Sequence, residues 1–118
     1  MSDRYHRDMT EHDAMPGPLC AAVRTTRRDL AATLGLPRTA LSKGPAGLSS
    51  NSRSRLREFE QILRRLEPLA GSAVIAYAYY RAQPISEFGG RTAEALVKEG
   101  RASRVHAFLD HAESGGFA

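Results

Sequence analysis

The sequence predicts an all-α protein: a helix-turn-helix bundle followed by a second, smaller helical region. The first ground is a clean period. Leu56, Phe59, Ile62, Leu63, Leu66 and Leu69 recur at three- and four-residue spacing, while Arg55, Arg57, Glu58, Glu60, Arg64 and Arg65 fill the positions between. That pattern makes a helix of about five turns with one wet side. The second ground is composition. Hydrophobic residues make up 42% of the chain, with no Trp and only four Phe and four Tyr, so the core must be mostly Leu, Ala, Val and Ile. Such a core suits packed helices better than a β-sandwich. The third ground is punctuation, because Gly or Pro closes each apolar stretch where a helix needs a stop.

The elements follow in order. Residues 1–18 have no apolar period and end in Met-Pro-Gly-Pro, so they are expected to form a disordered tail. Leu19, Ala22 and Val23 mark a short amphipathic segment. Thr25-Thr26-Arg27-Arg28-Asp29 carries a Thr three residues ahead of an acid, a helix-start signal. Leu30, Ala31 and Leu34 form the inner face of that helix, and Gly35 stops it. Pro37 can open the next helix, with Leu41 as its buried residue. Lys43 to Ser52 is rich in Gly, Ser and Pro and reads as a loop; the long helix starts at Arg53 and ends near Pro68 and Gly71.

Ala73 to Tyr80 is apolar throughout, and its alanines favour a buried helix over a strand. Pro84 ends it, and Ile85 to Gly90 is a loop with two exposed-looking apolar side chains. Thr92 caps a helix that carries Leu96 and Val97 inward and closes at Gly100. The last helix holds Ala102, Val105, Leu109 and Ala112, and Gly115-Gly116 ends it. The expected organisation is a tail over 1–18, a helix-turn-helix and dimerisation region over 19–70, and a partner-binding domain over 71–118.

Bulk properties bound the function. The net charge is +4, and the excess is arginine, which is compatible with nucleic acid or an acidic protein partner. Cys20 is the sole cysteine, so a reducing compartment fits. The opening residues lack a signal-peptide core, and the longest apolar run is too short to span a bilayer. A cytoplasmic protein is expected.

Ala31, Gly35 and Leu41 have the spacing of a helix-turn-helix: a small residue where two helices touch, a glycine for the turn, an apolar lock on the second helix. In the DNA-binding form, Arg38, Thr39, Ser42 and Lys43 would read bases, with Thr26, Arg27 and Arg28 on phosphates. The same spacing also serves a helical hairpin kept as scaffold. Pro37 stands where a hydroxyl cap is usual, and Gly44-Pro45 follows closely.

The C-terminal string is more specific. Arg81-Ala82-Gln83-Pro84-Ile85, then Phe88-Gly89-Gly90-Arg91-Thr92-Ala93-Glu94-Ala95-Leu96-Val97-Lys98-Glu99-Gly100, then Val105, Phe108-Leu109 and Gly115-Gly116-Phe117, resembles the toxin-binding domain of the Xre–MbcA–ParS antitoxins. With the Xre-like helix-turn-helix ahead of it, the resemblance runs from about Thr25 onward. It implies a type II toxin–antitoxin system and a partner toxin with a RES domain, which resembles ADP-ribosyltransferases and uses NAD. It also implies that the antitoxin's C-terminal region covers the toxin's active-site entrance, that the antitoxin dimerises through its N-terminal helices, and that it binds its own promoter. The expected toxin-binding residues are Glu87, Phe88, Gly89, Gly90, Arg91, Glu113, Gly116, Phe117 and Ala118. Phe88 and Phe117 are aromatic anchors in this reading. Glu113 and the carboxylate of Ala118 would pair with cations that otherwise hold NAD phosphates. Phe88 is equally readable as a core plug beside a turn, and Gly89 and Gly90 as backbone requirements alone.

No catalytic constellation stands out. His6 and His12 lie in the tail, and His106 and His111 are five apart, on different helix faces. Cys20 has no His or Asp framework around it in sequence. Gly89-Gly90-Arg91-Thr92 lacks the strand and lysine of a phosphate loop. The expectation is a protein that binds a toxin, is not an enzyme, and carries no metal or cofactor; the alternative is a stand-alone helix-turn-helix transcription regulator.

Overall fold

Residues 16–116 are described by the computed structural model of the chain, and among them every regular element is helical. Among the described residues there are six α-helices: α1 Pro16–Val23, α2 Arg27–Thr33, α3 Ser50–Ala70, α4 Ala73–Ala82, α5 Ala93–Lys98 and α6 Ala102–His111. Short 3-10 turns span Pro45–Gly47 and Ser86–Phe88, and a π turn spans Ala112–Gly116. The all-α class is therefore what the chain adopts. The chain divides into two compact units, Met1–Glu60 and Gln61–Ala118, and the division falls inside α3.

In the N-terminal unit, helix formation begins earlier than the residue pattern suggested. Pro16, Gly17 and Pro18, expected to belong to the tail, form the first turn of α1, and the rest of the expected tail, residues 1–15, lies outside the described residues. First-turn N–H groups have no partner within a helix, so proline loses nothing there. Leu19, Cys20 and Val23 are buried below it. Thr26 caps α2 as expected, its hydroxyl accepting from the Asp29 N–H at 3.0 Å. Leu30, Ala31 and Leu34 form the buried side, and Gly35 follows in the left-handed region at φ 75°. The Leu36 N–H then returns to the Ala31 carbonyl at 2.9 Å.

The helix expected to open at Pro37 does not form. Residues 38–43 run as consecutive turns, held by Ala40 N–H to Pro37 O at 2.9 Å and Ser42 N–H to Thr39 O at 3.1 Å. Leu41 is buried all the same, at 0% exposure. One anchor under a turn satisfies the apolar position, and Gly44, at φ 75°, with Pro45 next to it, cuts the segment before a second helical turn can follow. Ser49 starts α3 by accepting from the Ser52 N–H at 3.0 Å, a turn earlier than Arg53. Leu56 and Phe59 are fully buried on its inner side.

In the C-terminal unit, Ile62, Leu63 and Leu66 continue the buried stripe of α3, each contributing roughly 1.5–3 kcal/mol by leaving water. Gly71 ends α3 at φ 101°, and Ser72 caps α4 by accepting from Ile75 N–H at 3.1 Å. Ala73 to Tyr80 is a helix, not a strand, with Ala76, Tyr77 and Tyr80 buried. Pro84 lies just past its end. Thr92 caps α5 through Ala95 N–H at 3.1 Å. Gly100 ends α5, with Arg101 N–H bonded back to Leu96 O at 2.9 Å. Helix α5 packs on α4 and on α6, and Val105 and Leu109 bury the inner face of α6. The chain continues past His111 as a π turn, so the last helix widens before Gly115 and Gly116 are reached.

Candidate functional site

The candidate surface of the C-terminal unit is built on one closed turn. Ile85 and Arg91 pair as an isolated antiparallel bridge, with Ile85 N–H to Arg91 O at 3.1 Å. Phe88 N–H and Gly90 N–H both return to the Ile85 carbonyl, at 2.9 and 3.0 Å. The reversal needs two successive left-handed residues, Gly89 at φ 70° and Gly90 at φ 86°. A Cβ at either glycine would meet open space. The requirement is therefore one of backbone dihedral and not of room, since a side chain in that region strains against its own carbonyl.

The turn is not a loop with two exposed apolar side chains. Ile85 is 5% exposed and is its root. Phe88 is half-buried and meets Phe108 of α6 edge-on, with ring centroids 5.5 Å apart and planes at 63°. That geometry suits the ring quadrupoles. Phe88 is thus at once a packing residue and a partly open ring. Glu87, Gly89, Gly90 and Arg91 are exposed around it.

Charges in this unit are mostly answered from within. The Arg91 guanidinium pairs with Glu99, which also lies 3.9 Å from Arg101, and Lys98 meets Glu94 at 2.8 Å. Glu113, expected to stay open for a partner's cations, is held by Arg65 of α3 in a two-pronged contact. The same guanidinium reaches Asp110 at 2.5 Å, and its remaining nitrogen lies 3.0 Å from His106 Nδ1 and 3.4 Å from the His106 carbonyl. Hydrogen bonds to Glu113 and then Asp110 push the Arg65 guanidinium above its ordinary range, so it stays charged throughout. His106 thus belongs to this cluster, where it receives a cation's hydrogen; among the described residues no group of three or more His, Cys, Asp or Glu is set to hold a metal ion.

The residues expected to contact toxin divide accordingly. Glu87, Phe88, Gly89, Gly90 and Arg91 come together on the turn, and Glu113 sits on the π turn that follows α6. Gly116 closes the π turn, while Phe117 and Ala118 lie outside the described residues. Ile85, Phe108 and Arg65 are the additions. An acid pair at Asp110 and Glu113, three apart on the last helix, signals a need for a cation, but spacing alone does not say which arginine supplies it.

The residues expected to contact DNA are all exposed in the N-terminal unit, without the second helix that was to carry four of them. Thr26 spends its hydroxyl oxygen on capping α2, and the Ser42 hydroxyl donates to Thr39 O at 2.8 Å. Arg38, Thr39, Ser42 and Lys43 therefore sit on a turn, not on a rod that could lie in a groove. Thr39 and Lys43 also line a cavity of about 420 Å³ with Leu36, Pro37, Ser49 and Asn51.

No helix of the described residues is long and apolar enough to cross a membrane. In comparisons with known proteins, no family model, no curated protein and no solved structure matches the chain.

Proposed function

We propose that the chain is the antitoxin of a type II toxin–antitoxin system, acting in the cytoplasm as a homodimer within a larger complex and neutralising a RES-domain, NAD-using toxin by covering its active site. One observation carries this reading. The glycine turn and the last helix meet through Phe88 and Phe108, so the described residues assigned to toxin contact fall in one compact unit. A half-open aromatic ring on a rigid turn has the character of an interface anchor. Exposed Glu87 and Arg91 supply a polar rim around it.

The rival reading, a stand-alone regulator that reads bases through a second helix, draws no support from residues 38–43, which run as turns. The test is co-expression. The expected result is that a RES-domain protein is encoded beside this chain, that its induction arrests growth, and that the chain restores it. Failure of the chain to restore growth, or to co-purify with that protein, rejects the proposal.

A further inference from the structure

We infer that the outer face of α4, centred on Ile75 and Ala78, binds the same face of a second copy of the chain. The contact is additional to the homodimer proposed above, which the resemblance places in the N-terminal helices, and it does not rest on toxin binding. It starts from a helix that is apolar on every side. Among the ten residues of α4 only Arg81 is charged. Ala76, Tyr77 and Tyr80 are buried, as the apolar segment requires. Val74 and Ile75 nevertheless stay 37% and 56% exposed, and Ala78 and Ala82 are exposed beside them. Leu69, just ahead of the Gly71 turn into α4, is open as well. A helix apolar all round is one covered on both sides. The neighbouring helices follow the opposite rule: α3 turns Arg57, Gln61 and Arg64 outward, and α6 turns Arg104, Asp110 and His111.

One position shows that folding alone does not ask for this face. Ser72 caps α4 by accepting from the Ile75 N–H. The residue three after a Ser or Thr cap is where an acid suits a helix, because it can answer the cap's own N–H and meets the positive end of the dipole. Asp29 takes that place after Thr26. In α4 it is held by Ile75, the most exposed large apolar side chain among the described residues. A local rule broken without gain to the fold marks a residue kept for another purpose.

Shape, charge and area select a second copy as the occupant. Ile75 and Tyr79, four apart, form a bulky row along α4, and Ala78 and Ala82 form a small row beside it. Rows at this spacing are the ridges and grooves by which helices pack. A two-fold axis through the face lays the bulky row of each copy into the small row of the other, a contact that is closed and complementary to itself. The one charge, Arg81, flanks the face with its guanidinium 5.3 Å from the centre of the Tyr77 ring. Two such faces therefore meet without burying a charge that lacks a counterpart. The open patch is on the order of 400 Å², within the range of the largest patch a monomer leaves to water. Pairing two of them buries on the order of 800 Å² in total, less than a permanent dimer needs, so the pair forms and parts with concentration.

The test uses the full chain and sedimentation equilibrium across roughly 1–300 μM, where so small an interface titrates. The wild type gains a step of about twofold in mass over that range, from dimer to tetramer where the N-terminal contact is already made and from monomer to dimer where it is not. Ile75→Glu loses the step. That substitution also completes the capping pattern after Ser72, so its melting temperature in dilute solution holds or rises by about 2–4 °C, which separates a lost contact from a lost fold. Ala78→Cys in a Cys20→Ala background is joined into a covalent pair by a short bismaleimide, whereas Arg104→Cys in the same background is not. A wild type without the step overturns the inference, as does a step that persists in Ile75→Glu or equal cross-linking at both positions. In the absence of a step, loss of co-purification with the RES-domain protein in Ile75→Glu assigns the face to that protein, and loss of binding to phosphatidylcholine vesicles assigns it to a membrane; both reject the pairing of copies.

Discussion

Arg65 and Glu113 meet as a fork on a fork, Nε to Oε2 at 3.2 Å and Nη2 to Oε1 at 2.9 Å, across 48 residues of sequence. The planar guanidinium also takes Asp110, so one side chain of α3 fastens both acids at the end of the chain's last helix. The Arg65 side chain is 24% exposed and Asp110 72%, so water screens part of the attraction.

Replacement of Arg65 by Met is accordingly expected to destabilise the C-terminal unit by only about 1–2 kcal/mol. Arg65→Lys should recover less than half of that, because an ammonium cannot make the paired contact. Urea unfolding followed by circular dichroism measures both. Equal stability of the Lys variant and the wild type would show that charge alone holds the end of the helix.

Phe88→Ala should weaken toxin binding at least about tenfold, since truncating an aromatic anchor commonly costs 2 kcal/mol or more. The same change loosens the contact with Phe108. Phe88→Leu therefore serves as the check: it keeps most of the packing and should still bind several-fold worse. Isothermal titration with the toxin decides, and wild-type affinity in both variants would remove Phe88 from the interface.

Gly89→Ala forces a side chain into the left-handed region, with an expected loss of about 1–2 kcal/mol in stability. Because a Cβ there meets nothing, the loss should be the same for Ala and Ser and should not grow with side-chain size. A steep dependence on size in thermal melts would mean that space, not dihedral, sets the requirement.

Removal of Ser114 to Ala118 should lower toxin affinity at least about tenfold, or 1.4 kcal/mol, while the Arg65 contacts to Asp110 and Glu113 persist. A surface plasmon measurement showing unchanged affinity would exclude this end from the interface.

Alkaline pH should weaken the fold. Burial pushes the Cys20 thiol up, partly opposed by Arg27, and burial together with Glu87 pushes the Tyr79 phenol up. Both are neutral acids whose protonated form the folded state prefers. Their contribution is complete below the unfolded value and is lost as pH rises through the folded one. The thiol window opens near the ordinary value of about 8.5, and the phenol window near about 10. The urea midpoint should drop between pH 8 and pH 10, and Cys20→Ala should reduce the drop in the N-terminal unit. A midpoint that rises over this range would contradict the assignment.

Much of the fold was legible because local physics decides it. The stripe through Leu56, Phe59, Ile62, Leu63 and Leu66 is buried as its spacing requires, whereas Leu69, the last residue of the pattern, is 36% exposed and Glu60, expected on the wet side, is buried. Thr26 and Thr92 cap the helices they precede, and Gly35, Gly71 and Gly100 turn left-handed where the helices stop. What escaped was tertiary. Leu41 is buried, yet burial does not dictate a helix when Gly44 and Pro45 follow so soon. Ile85 looks exposed in a polar loop, but its carbonyl gathers two N–H groups and its side chain sinks beneath them. The Arg65 clasp was hidden because a cation at one end of the sequence does not name its acid at the other. In the candidate site, the Gly89-Gly90 turn was visible in the chain, and the seating of Phe88 on Phe108 was not.

The clasp between α3 and the end of α6 has a topological corollary. It brings residues near the start and the end of the Gln61–Ala118 unit side by side, so the stretch is a loop already closed at its neck. Chain segments with adjoining ends tolerate insertion into a host and circular permutation. The Gln61–Ala118 stretch should therefore survive grafting into a surface hairpin of an unrelated carrier without being pulled open, and a carrier bearing it could be used to fish for the partner directly.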